Sequence, residues 1–234
     1  MPIFPLSHTL LFQGIADTET QAVLKCIGGQ RKHYERGEHI FRVGEDIRTA
    51  GLVLCGTVHL IREDVWGNSH LLDSVPAGQT FCESYACTPQ EPLMFSAVVA
   101  EEADVLFLDV GRVLTMCSSA CAFHARLIRN LLAILARQNL QLTRKMEHIT
   151  QKTTRKKLLS YLSFQAEREG SQAFRIPYNR QELADYLGVD RSAMSAELAR
   201  MQREGILTCR RSQFTLTSLP DAASSPAPDR EKFR

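Results

Sequence analysis

The apolar positions fall into two regimes. Up to about residue 110 they come in short runs: Ile40-Phe41, then 52–54, 57–61, 70–75, 95–100 and 105–108. Gly37, Gly44, Gly51, Gly56, Gly67-Asn68 and Gly78 punctuate them. Turn signals every ~8–12 residues predict an all-β sandwich or barrel of short strands rather than a βαβ fold. Trp66-Gly67-Asn68-Ser69 reads as a hairpin turn, because Gly and Asn tolerate positive φ.

The second regime is helical. Residues 119–149 contain neither Gly nor Pro, and Leu127, Leu131, Ile134/Leu135, Gln138 and Leu142 recur at three- and four-residue steps. That predicts a helix of about eight turns with a continuous apolar stripe. Two uses fit such a stripe: a coiled-coil-like dimer seam, or a long core helix within one chain. The length exceeds what covering a small barrel needs, which favours the seam. A second helical pattern (Leu158, Leu159, Tyr161, Leu162, Phe164) ends at Glu169-Gly170-Ser171, and 174–177 is a short strand-like piece.

The sharpest motif runs over 179–207. Asn179 with Glu182 three residues later is a capping-box pattern. Leu183, Ala184 and Leu187 form one apolar face, Gly188 ends the helix, and Asp190 caps the next. Met194, Leu198 and Met201 give that next helix a buried side; Gly205 ends it and Ile206-Leu207 begins a strand. Two short helices joined by a tight glycine turn, with small Ala184 at their crossing, predict a helix-turn-helix rather than an ordinary helical hairpin. The outer face of the second helix (Arg191, Ser192, Ser195, Ala196) is then free to enter a major groove. Basic residues surround the motif (Arg180, Arg191, Arg200, Arg203, Arg210, Arg211), and 214–217 suggests a small β-wing.

Charge sharpens the division. The chain has 234 residues, 44% hydrophobic and 23% charged, an ordinary globular composition with a formal net charge of only +2. Residues 1–110 hold 7 Lys and Arg against 15 Asp and Glu, a formal −8, whereas the remainder holds 21 against 11, a formal +10. An acidic half is joined to a basic half, as expected of a nucleic-acid-binding module appended to another domain. No apolar run reaches the ~18–20 residues of a membrane helix, and the first residues do not read as a signal peptide. The seven cysteines lack disulfide-framework spacing, so reduced thiols and a cytoplasmic location are expected.

A Gly-punctuated β-domain, a long helix and a C-terminal winged helix-turn-helix, in that order, resemble the CRP/FNR family of bacterial transcription regulators over roughly residues 10–217. The β-domain carries the pattern in Tyr34-x-x-Gly37-Glu38, Leu54-x-Gly56-x-Val58 and Pro76-x-Gly78. The resemblance implies an α+β chain divided into a β-barrel or jelly-roll sensor of cyclic-nucleotide-binding type (1–115), a dimerisation helix (116–149), a winged helix-turn-helix (150–218) and a disordered tail (219–234). It places Asn179, Arg180, Gln181 and Arg200 near phosphates, and Arg191, Ser192 and Ser195 toward base edges, the Arg191 fork suiting guanine O6 and N7. Ser192 stands where the family commonly has Glu, and Ala196 where it commonly has Arg, so the usual TGTGA or TTGAT half-site does not carry over.

In the sensor, the resemblance assigns an effector pocket to Phe81, Cys82, Glu83, Tyr85, Phe95 and Ser96. Glu83 and Ser96 match the cyclic-nucleotide members, but Phe95 replaces their phosphate-binding arginine. A buried phosphodiester without that cation loses its main charge-assisted bond, which disfavours cyclic AMP. Iron–sulfur ligation of the FNR type is disfavoured too, since no cysteine precedes Cys26. Phe81-Cys82 is similar to the haem-ligating segment of the family's carbon monoxide sensor, but Ser84 stands where that protein has His, and His70 or His124 would have to substitute. Cys82 and Cys87 form one cysteine pair; Cys117, Cys121 and His124 share a helix face at metal-ligand spacing, and both sets suit either a thiol switch or plain packing. A small organic ligand against Phe81, Tyr85 and Phe95 is a further reading.

The expected protein is a cytoplasmic, homodimeric, non-enzymatic regulator that binds a pseudo-palindromic double-stranded DNA site, and meets RNA polymerase if it activates. Two other classes are weighed against it. A metal-dependent cupin-like enzyme would offer a His-x-His pair, and His33, His39, His59 and His70 are dispersed. A protein-interaction module would regulate without DNA.

Overall fold

The computed structural model describes residues 3–64, 66, 69–88, 90–115 and 122–217. The turn residues Gly67 and Asn68, the cysteines Cys117 and Cys121, and the tail 219–234 lie outside the described residues. The chain forms two compact units, Met1–Gln138 and Asn139–Arg234.

The first unit is an antiparallel sheet with helices. In chain order its elements are α1 (Asp17–Cys26), β1 (Gln30–Tyr34), β2 (His39–Phe41), β3 (Thr49–Glu63), β4 (Ser69–Pro76), β5 (Thr80–Phe81), α2 (Glu83–Cys87), β6 (Ser96–Asp109), α3 (Val110–Leu114) and the first half of α4 (Ala122–Ile149). The strands run in the order β1-β6-β3-β4, with β2 pairing β6 and β5 pairing β3. The expectation of many short strands is corrected here. Residues 52–54 and 57–61 belong to the single strand β3, and 95–100 and 105–108 merge into β6 apart from Phe95.

Gly51 and Gly56 therefore do not end strands. Gly56 sits at φ +79 where the β3–β6 register shifts, and a Cβ there would overlap the carbonyl oxygens of Glu101 and Glu102. It is a bulge glycine that bends a long strand rather than a turn glycine between two short ones. A Cβ on Gly51 would overlap the Phe81 ring.

Both faces of the central strands are buried, which explains the unbroken apolar runs. Leu52, Leu54, Leu106 and Leu108 face a core shared with Phe12, Val23 and Ile27 and with Leu127, Leu131 and Ile134 of α4. Val53, Val58, Val105 and Phe107 point the other way, into a core with Phe81, Leu93, Ala97 and Val99.

The second unit holds the remainder of α4, then α5 (Thr154–Glu169), β7 (Ala173–Arg175), α6 (Arg180–Leu187), α7 (Arg191–Arg203), β8 (Leu207–Arg210) and β9 (Gln213–Leu216). A three-stranded antiparallel sheet, β7-β9-β8, flanks the helices. Leu158, Tyr161 and Leu162 of α5, Leu183, Ala184 and Leu187 of α6, and Met194, Leu198 and Met201 of α7 meet Phe174, Leu207 and Phe214 in one core. Among the described residues, no helix is long and apolar enough to cross a membrane.

Candidate nucleic-acid interface

The α6–α7 pair is set by its caps. The Asn179 side chain accepts from the Glu182 N–H (3.0 Å), while Glu182 accepts from the Asn179 N–H (2.7 Å), closing the capping box. Gly188 takes the left-handed conformation at φ +60, and its N–H and that of Val189 close onto Asp185 and Ala184 carbonyls. Lys157, reaching over from α5, donates to the carbonyls of Leu187 (3.0 Å) and Gly188 (3.2 Å). A cation at a helix C-terminus stabilises the turn through the unpaired carbonyls. Asp190 then caps α7, accepting from Ala193 N–H at 2.8 Å. The Ser192 hydroxyl and the Ala193 N–H hold the Asp190 carboxyl below the usual carboxylate range. Arg155 of α5 pairs with Glu197 of α7 (3.5 Å) and with Glu204, the residue that caps its C-terminus, fixing the second helix along its length.

These contacts leave one face of α7 open. Arg191, Ser192, Ser195 and Ala196 are all exposed. The Ser195 hydroxyl donates back to the Arg191 carbonyl (2.9 Å), and Ser192 donates to Asp190. The Arg191 guanidinium has no hydrogen-bond or ion-pair partner among the described residues. Arg200 is exposed and pairs with Glu197 at 3.4 Å.

Beside Arg191 opens a groove of about 890 Å³ lined by Arg168, Arg175, Arg180, Arg191 and Arg211, with the N-terminus of α6 at its wall. Guanidinium groups and free helix N–H groups are both phosphate ligands. Arg168 and Arg175 escape the sequence reading, because one ends α5 and the other lies on β7, and only the fold brings them to the groove. Arg180 is turned inward: its guanidinium lies 5.2 Å from the Phe214 ring centre and donates to Cys209 Sγ at 3.1 Å. Gln181 is exposed and donates to Asp185 at 2.9 Å.

In the first unit the residues assigned to an effector pocket lie close together along β5, α2 and the start of β6. Phe81, Cys82 and Glu83 are buried at 1%, 5% and 3% exposure. The Glu83 carboxylate accepts from the Thr80 hydroxyl and from Gln138 Nε2 of α4 (3.2 Å). Burial, and then the charge of Glu83, push the Cys82 thiol up to about 12. Phe95 meets Tyr85 edge to face at 5.5 Å, and the Ser96 hydroxyl accepts from the Val43 N–H at 3.1 Å. These groups do not fit a cyclic nucleotide: Glu83 and Ser96 already have protein partners, and Phe95 supplies no charge for a phosphate. Beside Cys82, Ser84 offers no imidazole to a haem. His70 pairs with Asp64 at 3.6 Å, on exposed β4.

The expected dimer stripe divides. Leu127 and Leu131 are buried at 0% and 4% exposure in the core of the same chain, and Gln138 is bonded to Glu83. They are corrected to intrachain packing, because the sheet takes one face of α4. Leu135 and Leu142 belong to a second strip, Leu135 half-buried at the edge of the same core and Leu142 exposed. With Ile128, Leu132, Asn139, Met146 and Ile149 they repeat at alternating four- and three-residue steps, and Leu132, Leu142 and Met146 are 59%, 64% and 60% exposed. His124 is buried with both ring nitrogens engaged, by Cys26 and by the Arg112 carbonyl. Among the described residues no group of three or more His, Cys, Asp or Glu side chains gathers as a metal site.

Comparison with known proteins matches both units. Residues 156–221 match the Crp-like helix-turn-helix domain, and residues 31–120 match the cyclic nucleotide-binding domain. No curated protein matches the chain. Among solved structures, the catabolite activator protein of Thermus thermophilus is 25% identical over 90% of this chain and 95% of that one, with a TM-score of 0.48. The c-di-GMP responsive regulator CLP of Xanthomonas campestris is 18% identical over 87% of this chain and 100% of that one, with a TM-score of 0.56, a likeness of fold. DNR of Pseudomonas aeruginosa is 19% identical over 91% and 92%, with a TM-score of 0.45. Neither matched module is a catalytic domain. With a sensor-type sheet domain followed by a Crp-like helix-turn-helix, the chain has the architecture of the CRP/FNR family and is a DNA-binding transcription regulator of that type.

Proposed function

We propose that the protein works as a cytoplasmic homodimer that reads a pseudo-palindromic operator through α7, under the control of a signal received by the first unit. The observation that carries this reading is the Arg191 guanidinium at the first turn of α7, unpartnered among the described residues, beside a groove lined by four further arginines. The division of labour is residues 1–115 for sensing, 116–149 for pairing and 150–218 for DNA. The sheet of the first unit closes as a jelly-roll-like barrel, supported by its two buried faces. Arg191 reads base edges, Ser192 and Ser195 stand beside it, and Asn179, Gln181 and Arg200 line the approach to phosphates; Arg180 supports the wing through Phe214. An activator of this kind meets RNA polymerase. The effector is a small molecule or a chemical change other than cyclic AMP.

Pairing uses Ile128, Leu132, Leu135, Asn139, Leu142, Met146 and Ile149. Their alternating four- and three-residue spacing is the heptad pattern of a two-stranded coiled coil, and a second copy of this chain presents the identical stripe. Two recognition helices related by a two-fold axis address half-sites about 34 Å apart. The test is an operator selection followed by titration at fixed salt. Arg191→Ala should cost about 1–3 kcal/mol of specific binding at one base position, with an unchanged circular dichroism spectrum. Equal affinity of the two proteins for the selected site would remove α7 as the reading helix.

A further inference from the structure

Cys26 is the last residue of α1, and His124 lies in the first turn of α4. Cys26 Sγ is 3.9 Å from His124 Nδ1, and His124 Nε2 is 3.1 Å from the main-chain carbonyl oxygen of Arg112 in α3. A carbonyl oxygen only accepts, so Nε2 carries the ring proton and donates it to Arg112. Nδ1 is left with its lone pair toward the sulfur. The imidazole is 3% exposed, whereas Cys26 retains partial exposure. A thiol facing a basic nitrogen, on a ring held by a third group, is the arrangement that activates a nucleophilic sulfur.

The other described cysteines lack it. Cys55 and Cys82 are buried, and burial followed by the charge of Glu83 raises the Cys87 thiol. Cys209 faces a guanidinium and the Gln202 carboxamide oxygen, neither of which accepts a proton as a base.

We propose that Cys26 is a modification site that reacts with hydroperoxides, with His124 as its proton acceptor and the Arg112 carbonyl as the group that orients the ring. The sulfur attacks one peroxide oxygen, forming an S–O bond as the O–O bond breaks. The thiol proton passes to His124 Nδ1 and on to the departing hydroxide, or to the alkoxide of an alkyl hydroperoxide. Cys26 becomes a sulfenic acid, oxidised by two electrons, and the peroxide is reduced to water or, for an alkyl hydroperoxide, to the alcohol. The added oxygen replaces the S–H donor at the joint of α1, α3 and the first turn of α4. This chemistry stands apart from the DNA-binding reading, so failure of either leaves the other intact.

The test follows loss of free thiol at each cysteine by peptide mass mapping, in the reduced full-length protein exposed to hydrogen peroxide. Cys26 should react about tenfold or more faster than Cys209 in the folded protein, and that preference should vanish in denaturing urea. His124→Gln keeps a donor for the Arg112 carbonyl but has no basic nitrogen, and it should bring Cys26 down to the rate of Cys209. A folded protein in which Cys26 reacts no faster than Cys209 overturns the proposal. So does an unchanged Cys26 rate in a His124→Gln protein whose circular dichroism is intact.

Discussion

Arg211 turns the wing at φ +54, in a two-residue loop closed by the pairing of Arg210 with Gln213. A side chain in this left-handed region costs of order 1 kcal/mol or more, which glycine would not incur. Its guanidinium also lines the arginine groove. Arg211→Gly should therefore separate two properties that usually move together: the wing gains stability of about 1 kcal/mol in urea unfolding, while DNA affinity falls and its salt dependence loses about one unit of slope. Unchanged salt dependence would place Arg211 off the phosphate path. At this scale the sequence is partly readable. The freedom of Arg191 follows from its place at the start of a capped helix, all of it local. The inward turn of Arg180 does not, since its partners Cys209 and Phe214 come from the wing, about thirty residues later.

The C-terminal turn of α4 contains a histidine in an aromatic cage. His148 is 2% exposed, with its Nδ1 2.8 Å from the Ser160 hydroxyl and its ring against Tyr161, Phe164 and Tyr186 at 5.6, 5.7 and 6.3 Å. Its Nε2 is buried without a hydrogen-bond partner, and Arg144 and Lys145 lie over the Phe164 and Tyr186 rings. Burial lowers its pKa, against a smaller opposing pull from Glu147. A neutral histidine in the fold that ionises on unfolding contributes stability above the ordinary histidine range, and that stability is lost as pH falls from there toward the folded value. The thermal stability of the second unit should fall below about pH 6.5, before the carboxylates Asp190 and Glu204, both lowered, begin to protonate. His148→Phe should flatten that upper part of the profile; an unaltered profile would assign it to other groups.

Elements were legible where the code is local. Asn179, Gly188 and Asp190 announce α6 and α7, and Gly170 ends α5. Elements were misread where glycine does something other than turn the chain: Gly51 makes room for Phe81 and Gly56 forms a bulge, and both looked like strand ends. The α4 stripe was misread for another reason. The helix has two apolar faces, and periodicity alone does not say which one the sheet of its own chain will cover.

At the scale of the whole molecule, the opposite charges of the two regions match their tasks, since the arginine-lined groove suited to phosphate lies in the basic one. The pairing surface can be tested separately from both. Leu132→Glu with Leu142→Glu should give a monomer in sedimentation while the melting of the first unit is retained, because both side chains are exposed. Leu131→Ala should do the reverse, costing about 2–5 kcal/mol of stability through a cavity and leaving the dimer assembled. A dimer that survives the double substitution would remove the heptad stripe as its seam.

Asn139 is the one polar member of that stripe; its Oδ1 accepts from the Thr143 hydroxyl one turn on (3.4 Å), and in the proposed seam its N–H groups are left for the amide of the facing copy. Sliding one helix by a heptad would bury each amide against a leucine or methionine. It would also carry one recognition helix about 10 Å along the axis, at 1.5 Å per residue, the length of about three base pairs at 3.4 Å each. In the proposed pairing Asn139 would thus act as a ruler without touching a base, holding the separation at which two half-sites count as one operator.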